Sequence, residues 1–142
     1  MPAKFLAISV KQPWAALLVA GVKTVEVRTW ATRTRGRVLI HAAKTADPRP
    51  EGWRLVNTPE LKELASLRGG LIGVANLTAC VRYRTVEAFA EAAEAHRNAP
   101  DWFRAGGLYG FVFQNPTPIA YHACPGRTLF FVVEGFSGER LA

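Results

Sequence analysis

Residues 21–28 read GVKTVEVR, and the order of glycine, polar and apolar residues in this segment predicts its local structure. Gly21 can adopt the left-handed backbone conformation that a tight turn requires. After it, Val25 and Val27 face one side of an extended chain, and Glu26 and Arg28 face the other. The segment therefore predicts a turn followed by a strand over Thr24–Trp30, with one core face and one polar face.

The flanking segments predict further strands and helices. Before the segment, we predict a strand over Lys4–Val10 and a short apolar helix over Trp14–Ala20, which Pro13 precedes and Gly21 ends. After the segment, we predict strands over Arg37–Ala43, Leu71–Tyr83, Leu108–Gln114 and Leu129–Val133. We also predict helices over Pro59–Leu67 and Thr85–His96. Between the first of these strands and the first of these helices, we predict a loop over Thr45–Thr58 with a helical turn near Trp53. Five or six strands and three helices without βαβ alternation indicate an α+β fold with a mixed, mostly antiparallel sheet or barrel.

Length and charge favour one domain, residues 1–142, with a polyanionic partner. The formal net charge is +7. Residues 1–50 contain nine Lys or Arg and two acidic residues, whereas residues 51–142 contain nine of each. The first third therefore accounts for the whole excess of positive charge, and such a concentration of positive charge suits phosphate binding. A solvated basic surface that aids solubility is the open alternative.

Other sequence features argue against several classes of protein. Cys80 and Cys124 show no CxxC spacing, and with three scattered histidines they form no zinc pattern. We therefore expect free thiols, no metal and no cofactor. The chain has no apolar run near the roughly 20 residues of a membrane span, and its N-terminus is a poor signal peptide. These features predict a soluble cytoplasmic protein.

The GxKxxExR pattern of residues 21–28 resembles the signature of ASCH domains, a family within the PUA-like superfamily. Four other segments resemble the family in the expected order: ISVKQPW at 8–14, RGRVLIHA at 35–42, GLIGVA at 70–75, and the tail from Trp102 to Pro118. The resemblance covers nearly the whole chain. It implies a PUA-like β-barrel with about three peripheral helices and a cleft between the barrel and the first helix.

The resemblance implies a basic cleft that receives RNA, another nucleic acid or a nucleotide. Lys23, Glu26 and Arg28 would then face the ligand, tryptophans would stack on a base, and nearby cations would hold the flanking backbone. The predicted binding residues are Gln12, Trp14, Lys23, Glu26, Arg28, Trp30, Arg33, Arg35, Arg37 and Lys44. Structural alternatives remain open: an ion pair between Glu26 and Arg28, core positions for Trp14 and Trp30, and a satisfied buried His41.

Whether the protein is an enzyme stays open. Some ASCH-like proteins are amidohydrolases acting on acylated cytidine, and others are linked to ribonuclease activity, which makes Lys23 and Glu26 candidate catalytic residues. The amidohydrolases have a catalytic threonine three residues after the lysine, where this chain has Glu26. That departure puts the same mechanism in doubt. A protein-interaction role, by analogy with eukaryotic coactivators, ranks last. The sequence does not separate RNA from DNA or free nucleotide, and it leaves the oligomeric state open.

Overall fold

A computed structural model describes residues 4–141, except for the side chain of Arg140. Within this range the strands are β1 (Phe5–Val10), β2 (Val25–Arg28), β3 (Gly36–Ala42), β4 (Gly70–Tyr83), β5 (Leu108–Ala123) and β6 (Phe130–Val133). The α-helices are α1 (Trp14–Val19), α2 (Pro50–Trp53), α3 (Pro59–Ala65), α4 (Val86–Glu91) and α5 (Ala93–His96), with 3-10 turns at Pro100–Trp102 and Gly138–Leu141.

The six strands form one sheet in the order β2-β5-β4-β3-β1-β6. β1 and β3 are parallel, and every other neighbouring pair is antiparallel. The sheet curls so far that its two edges approach each other: Arg28 on β2 donates to the carbonyl of Ser9 on β1 at 2.9 Å, and Trp30 packs edge-on against Phe130 of β6. The predicted α+β class and the mixed, mostly antiparallel PUA-like barrel are confirmed as a curled half-barrel.

Helix α1 fills the inside of the curl. All six of its residues are buried, and it packs against β3, β4 and β5. Its apolar side chains form the main core together with strand residues such as Ile8, Ile40 and Phe111. A short helix that is apolar all round is stable here because each of its faces meets another element.

Strand β2 shows the predicted alternation, but both of its faces are covered. Val27 packs in a small cluster with Tyr83 and Phe89. The opposite face points into the curl, where Glu26 is only 8% exposed and Trp30 packs against the main core. The polar face of this strand therefore lines the interior of the half-barrel instead of meeting bulk solvent.

The helices and β5 differ from their predicted bounds. We expected about three helices and a helical turn near Trp53; residues 4–141 contain five helices, because the turn near Trp53 is present as α2 and the predicted helix Thr85–His96 divides at Ala92. Strand β5 continues nine residues past Gln114, through Pro116 and Pro118. Pro116 falls at a register shift in the pairing with β4, and Pro118, opposite Gly73, lies beyond Tyr109–Val112, the part of β5 that pairs with β2. Prolines are tolerated at such shifts and along a strand edge.

Candidate nucleic-acid interface

A cleft of about 540 Å³ lies where the two edges of the curled sheet meet. Strand β2 and the residues after it form one wall, and the end of β1 with the segment before β6 forms the other. The loop after β3 and the 3-10 turn at Pro100–Trp102 complete it. The lining residues are Ser9, Val10, Lys11, Trp14, Glu26, Val27, Arg28, Thr29, Trp30, Ala43, Asp47, Arg49, Trp102, Arg127, Thr128 and Leu129.

Three tryptophans reach this cleft, and they differ in how firmly they are held. Trp14 is 4% exposed and donates its Nε1–H to Asp47 at 2.8 Å, so it is a core residue with one edge on the cleft. Trp102 packs edge-on against Trp14, and the guanidinium of Arg49 lies 4.1 Å from its ring centroid. Trp30 is half-buried and rests edge-on against two phenylalanines. Trp30 and Trp102 therefore offer the accessible aromatic surface.

Glu26 and Arg28 form an ion pair on the wall of the cleft. Arg28 Nη2 lies 2.8 Å from Glu26 Oε2 and also donates to the Ser9 carbonyl. This pair is the structural alternative that we left open, and it also lines the cleft, so the two interpretations coexist. The Arg28 Nε–H is buried and has no hydrogen-bond partner among residues 4–141.

Lys23 lies behind the cleft and does not line it. Its side chain is 1% exposed, and its ammonium donates to the His96 carbonyl and to Asn98 Oδ1 and lies 3.7 Å from Glu26 Oε1. Burial lowers the pKa of Lys23 from 10.5 to about 8, against the opposing effect of the Glu26 carboxylate. We expected Lys23 to face the ligand; the structure corrects this, because the chain turns inward after Gly21 and the side chain enters the core.

Gln12 is also placed away from the cleft. It is fully buried, donates through Nε2 to the carbonyls of Leu64 and Leu67, and accepts from the Ala16 N–H. These bonds satisfy the end of α3 and the start of α1. The expectation that Gln12 contacts the ligand from the start of α1 is therefore not supported, because its amide groups already have partners within the fold.

The predicted backbone-binding arginines do not converge on the cleft. Arg33, Arg35 and Arg37 are exposed around the loop between β2 and β3, and Arg35 donates to the carbonyls of Thr32 and Thr34. None of the three lines the cleft. Lys44 lines a second hollow of about 510 Å³ that shares five residues with the cleft.

Sequence reasoning missed several residues that line the cleft. Lys11, Asp47 and Arg49 lie in the basic first third, but no periodicity marks them as neighbours. Arg127 and Thr128 come from the segment before β6, about a hundred residues away along the chain. Only the pairing of β6 with β1 brings this segment to the cleft. A local motif could not have identified it.

Among residues 4–141, no group of three or more His, Cys, Asp or Glu side chains is close enough to hold a metal ion. No helix there is long and apolar enough to span a membrane.

Comparisons with known proteins identify the family. The ASCH domain family profile matches residues 8–119, most of the chain. The fold matches a crystal structure of ASCH from Zymomonas mobilis with a TM-score of 0.67 and 18% identity, covering 97% of this chain and 93% of that one. A variant of the same protein matches with a TM-score of 0.65 and 18% identity, over 95% and 92% of the two chains.

Among curated proteins, human and mouse activating signal cointegrator 1 are 54% and 52% identical to this chain over 44 residues. That segment is 31% of this chain but 7% of those relatives, so the similarity covers a small part of their length. Since the family profile matches well over half of the sequence and the fold agrees with it, this chain belongs to the ASCH domain family.

Proposed function

We propose that this protein binds single-stranded nucleic acid, above all RNA, by receiving an unstacked base in the cleft where the two edges of the sheet meet. ASCH domains have a PUA-like fold that is associated with RNA binding. The observation that carries the proposal is the meeting of accessible tryptophans, the Glu26–Arg28 pair and several cations in one cleft. Single-stranded bases are recognised by this combination of aromatic stacking and edge hydrogen bonds.

Each group in the cleft has a part in this proposal. Trp30 and Trp102 provide surfaces on which a base can stack. Glu26 accepts from a base amino group, and the partly exposed guanidinium of Arg28 suits a carbonyl or ring nitrogen of the same base. Arg49, exposed over the Trp102 ring, suits a phosphate or a stacked base. The buried Lys23 acts as a positioning residue that holds Glu26 in place.

The test is binding of fluorescent RNA and DNA oligonucleotides across a salt series. Arg49 and Arg54 are a matched pair: both are exposed arginines five residues apart, and only Arg49 lines the cleft. We expect R49A to weaken binding and R54A to leave it nearly unchanged. Trp30→Leu is expected to cost about 1–3 kcal/mol of binding free energy through lost stacking. Absence of binding at low salt, or equal effects of the two arginine variants, would reject the proposal.

The alternative function is hydrolysis of a modified nucleoside of the N4-acylcytidine type, or of RNA. Its supporting observation is that Glu26 faces the cleft while Lys23, with a pKa of about 8, lies 3.7 Å behind it. Glu26 could then activate a water molecule beside the cationic Arg28. Incubation with N4-acetylcytidine and with labelled RNA tests this. Turnover that is lost in Glu26→Gln would place hydrolysis ahead of binding alone.

A further inference from the structure

The second hollow differs in chemistry from the cleft that it adjoins. Its lining includes the cations Lys11, Lys44 and Arg127 and, among residues 4–141, no carboxylate. The cleft contains two carboxylates and three tryptophans in addition to its cations. The two hollows share Ser9, Lys11, Ala43, Arg127 and Thr128, so they form one continuous groove with an aromatic half and a cationic half.

From this division we infer that the second hollow is a phosphodiester subsite, and that the ligand is a strand whose backbone continues from the base in the cleft towards Lys44. This inference rests on the proposed function and deepens it, because it excludes a free nucleoside as the preferred ligand. A groove with cations and no opposing carboxylate favours phosphate, since each neutralised phosphate releases counterions. Lys11 and Arg127 lie at the junction and would hold the phosphate next to the bound base.

The fold fastens the loop that carries Arg127 close to the sheet. His41 is 1% exposed, and its Nε2 lies 2.8 Å from the Cys124 carbonyl while its Nδ1 lies 2.9 Å from Ser9 Oγ. The Nε2–H therefore donates to the carbonyl, and the Ser9 hydroxyl donates to Nδ1. Burial lowers the pKa of His41, which keeps the ring neutral and able to accept that bond.

Gly126 allows the loop to lie directly over this pair. A Cβ at position 126 would stand 2.7 Å from His41 Cε1 and 2.9 Å from Ser9 Oγ, closer than real contacts allow. The loop is thus bonded at Cys124 and closely packed at Gly126, directly before Arg127, so Arg127 extends from a defined backbone position. A cation placed in this way loses less freedom on binding than one on a loose loop, which favours a specific phosphate contact.

The experiment uses the full chain and two ligand series. Tetramers of each of the four ribonucleotides identify the base that binds best. The nucleoside and the monophosphate of that base are then compared with its tetramer. We expect affinity to rise with each added phosphate.

Lys44→Ala and Arg127→Ala are the test variants, and Arg104→Ala, an exposed arginine outside both hollows, is the control for net charge. For the tetramer, each test variant is expected to reduce the slope of log K against log salt by about 0.7, the value for one lost phosphate contact on a single strand. Nucleoside affinity is expected to stay the same in Lys44→Ala, because Lys44 lines only the second hollow and not the cleft.

The outcomes separate the two proposals. If tetramers bind and R49A weakens them, but K44A and R127A lose no more than R104A, the phosphodiester subsite is wrong and base binding in the cleft stands. If the nucleoside binds as tightly as the tetramer, the subsite is also wrong. If no ligand binds at low salt, both the proposed function and the subsite are rejected.

Discussion

Replacing the buried Lys23 by methionine tests the electrostatics behind the cleft. Burial lowers the pKa of Lys23 from 10.5 to about 8. Between these two pH values the unfolded chain binds more protons at Lys23 than the folded chain, so its contribution to stability rises with pH across that window and is lost as pH falls through it. The full difference corresponds to about 3 kcal/mol, most of which is recovered between pH 7 and pH 10.

The measurement is urea unfolding of the wild type and Lys23→Met at pH 7, 8, 9 and 10. The quantity of interest is the unfolding free energy of the wild type minus that of the variant. Groups present in both chains cancel, including Tyr83, whose pKa burial raises. We expect this difference to rise by about 2–3 kcal/mol from pH 7 to pH 10. Lys62→Met, at an exposed lysine of α3, is the control for the loss of one positive charge.

A stability difference between the wild type and Lys23→Met that does not change with pH would contradict this prediction. It would mean that the carboxylate of Glu26, 3.7 Å away, fully offsets the cost of burying the ammonium. Lys23 would then be a charged, fully paired residue at every pH tested.

Three further predictions concern packing, capping and acid stability. Gly73→Ala would place a Cβ 2.4 Å from a methyl of Val19, and we expect it to lower the unfolding free energy by about 1–3 kcal/mol in urea titration; an unchanged midpoint would contradict this. Thr85→Ala removes the side-chain cap of α4, and calorimetry should show a loss of about 1 kcal/mol, in contrast to substitution of a neighbouring exposed residue. Burial lowers the pKa values of His41 and His96, so the stability that is present above pH 6.5 should fall as the pH is lowered towards pH 5. The melting temperature of His41→Gln should fall less steeply over this range than that of the wild type. An equally steep fall would exclude His41 as a contributor.

Strand and helix positions followed closely from local pattern. The segment at 21–28 contains a glycine with φ of +77° followed by alternating residues, and the structure has the turn and β2 there. Periodicity also located α1, β3 and β4 to within a residue or two. It did not extend β5 past Gln114, because proline is unfavourable in a regular ladder and the register shifts that accommodate it arise from pairing with β4.

The candidate site was less accessible to sequence reasoning. Glu26, Arg28 and Trp30 were placed on one strand face, and they line one cleft. Gln12 and Lys23 are close to them in sequence, yet their side chains turn into the core and bond to distant backbone or side-chain groups. Spacing alone does not tell whether a polar group near a motif meets solvent or a buried partner.

By itself, the sequence determined the family, the order of most elements and the excess of positive charge in the first third, because these depend on residue type, local spacing and backbone preference. The tertiary structure alone decided which cations share a groove. Curling of the sheet joins β2 to the opposite edge and carries Arg127 to Lys11 and Lys44, whereas Arg33, Arg35 and Arg37 remain outside. Charge acts through distance in space, and only long-range strand pairing sets that distance.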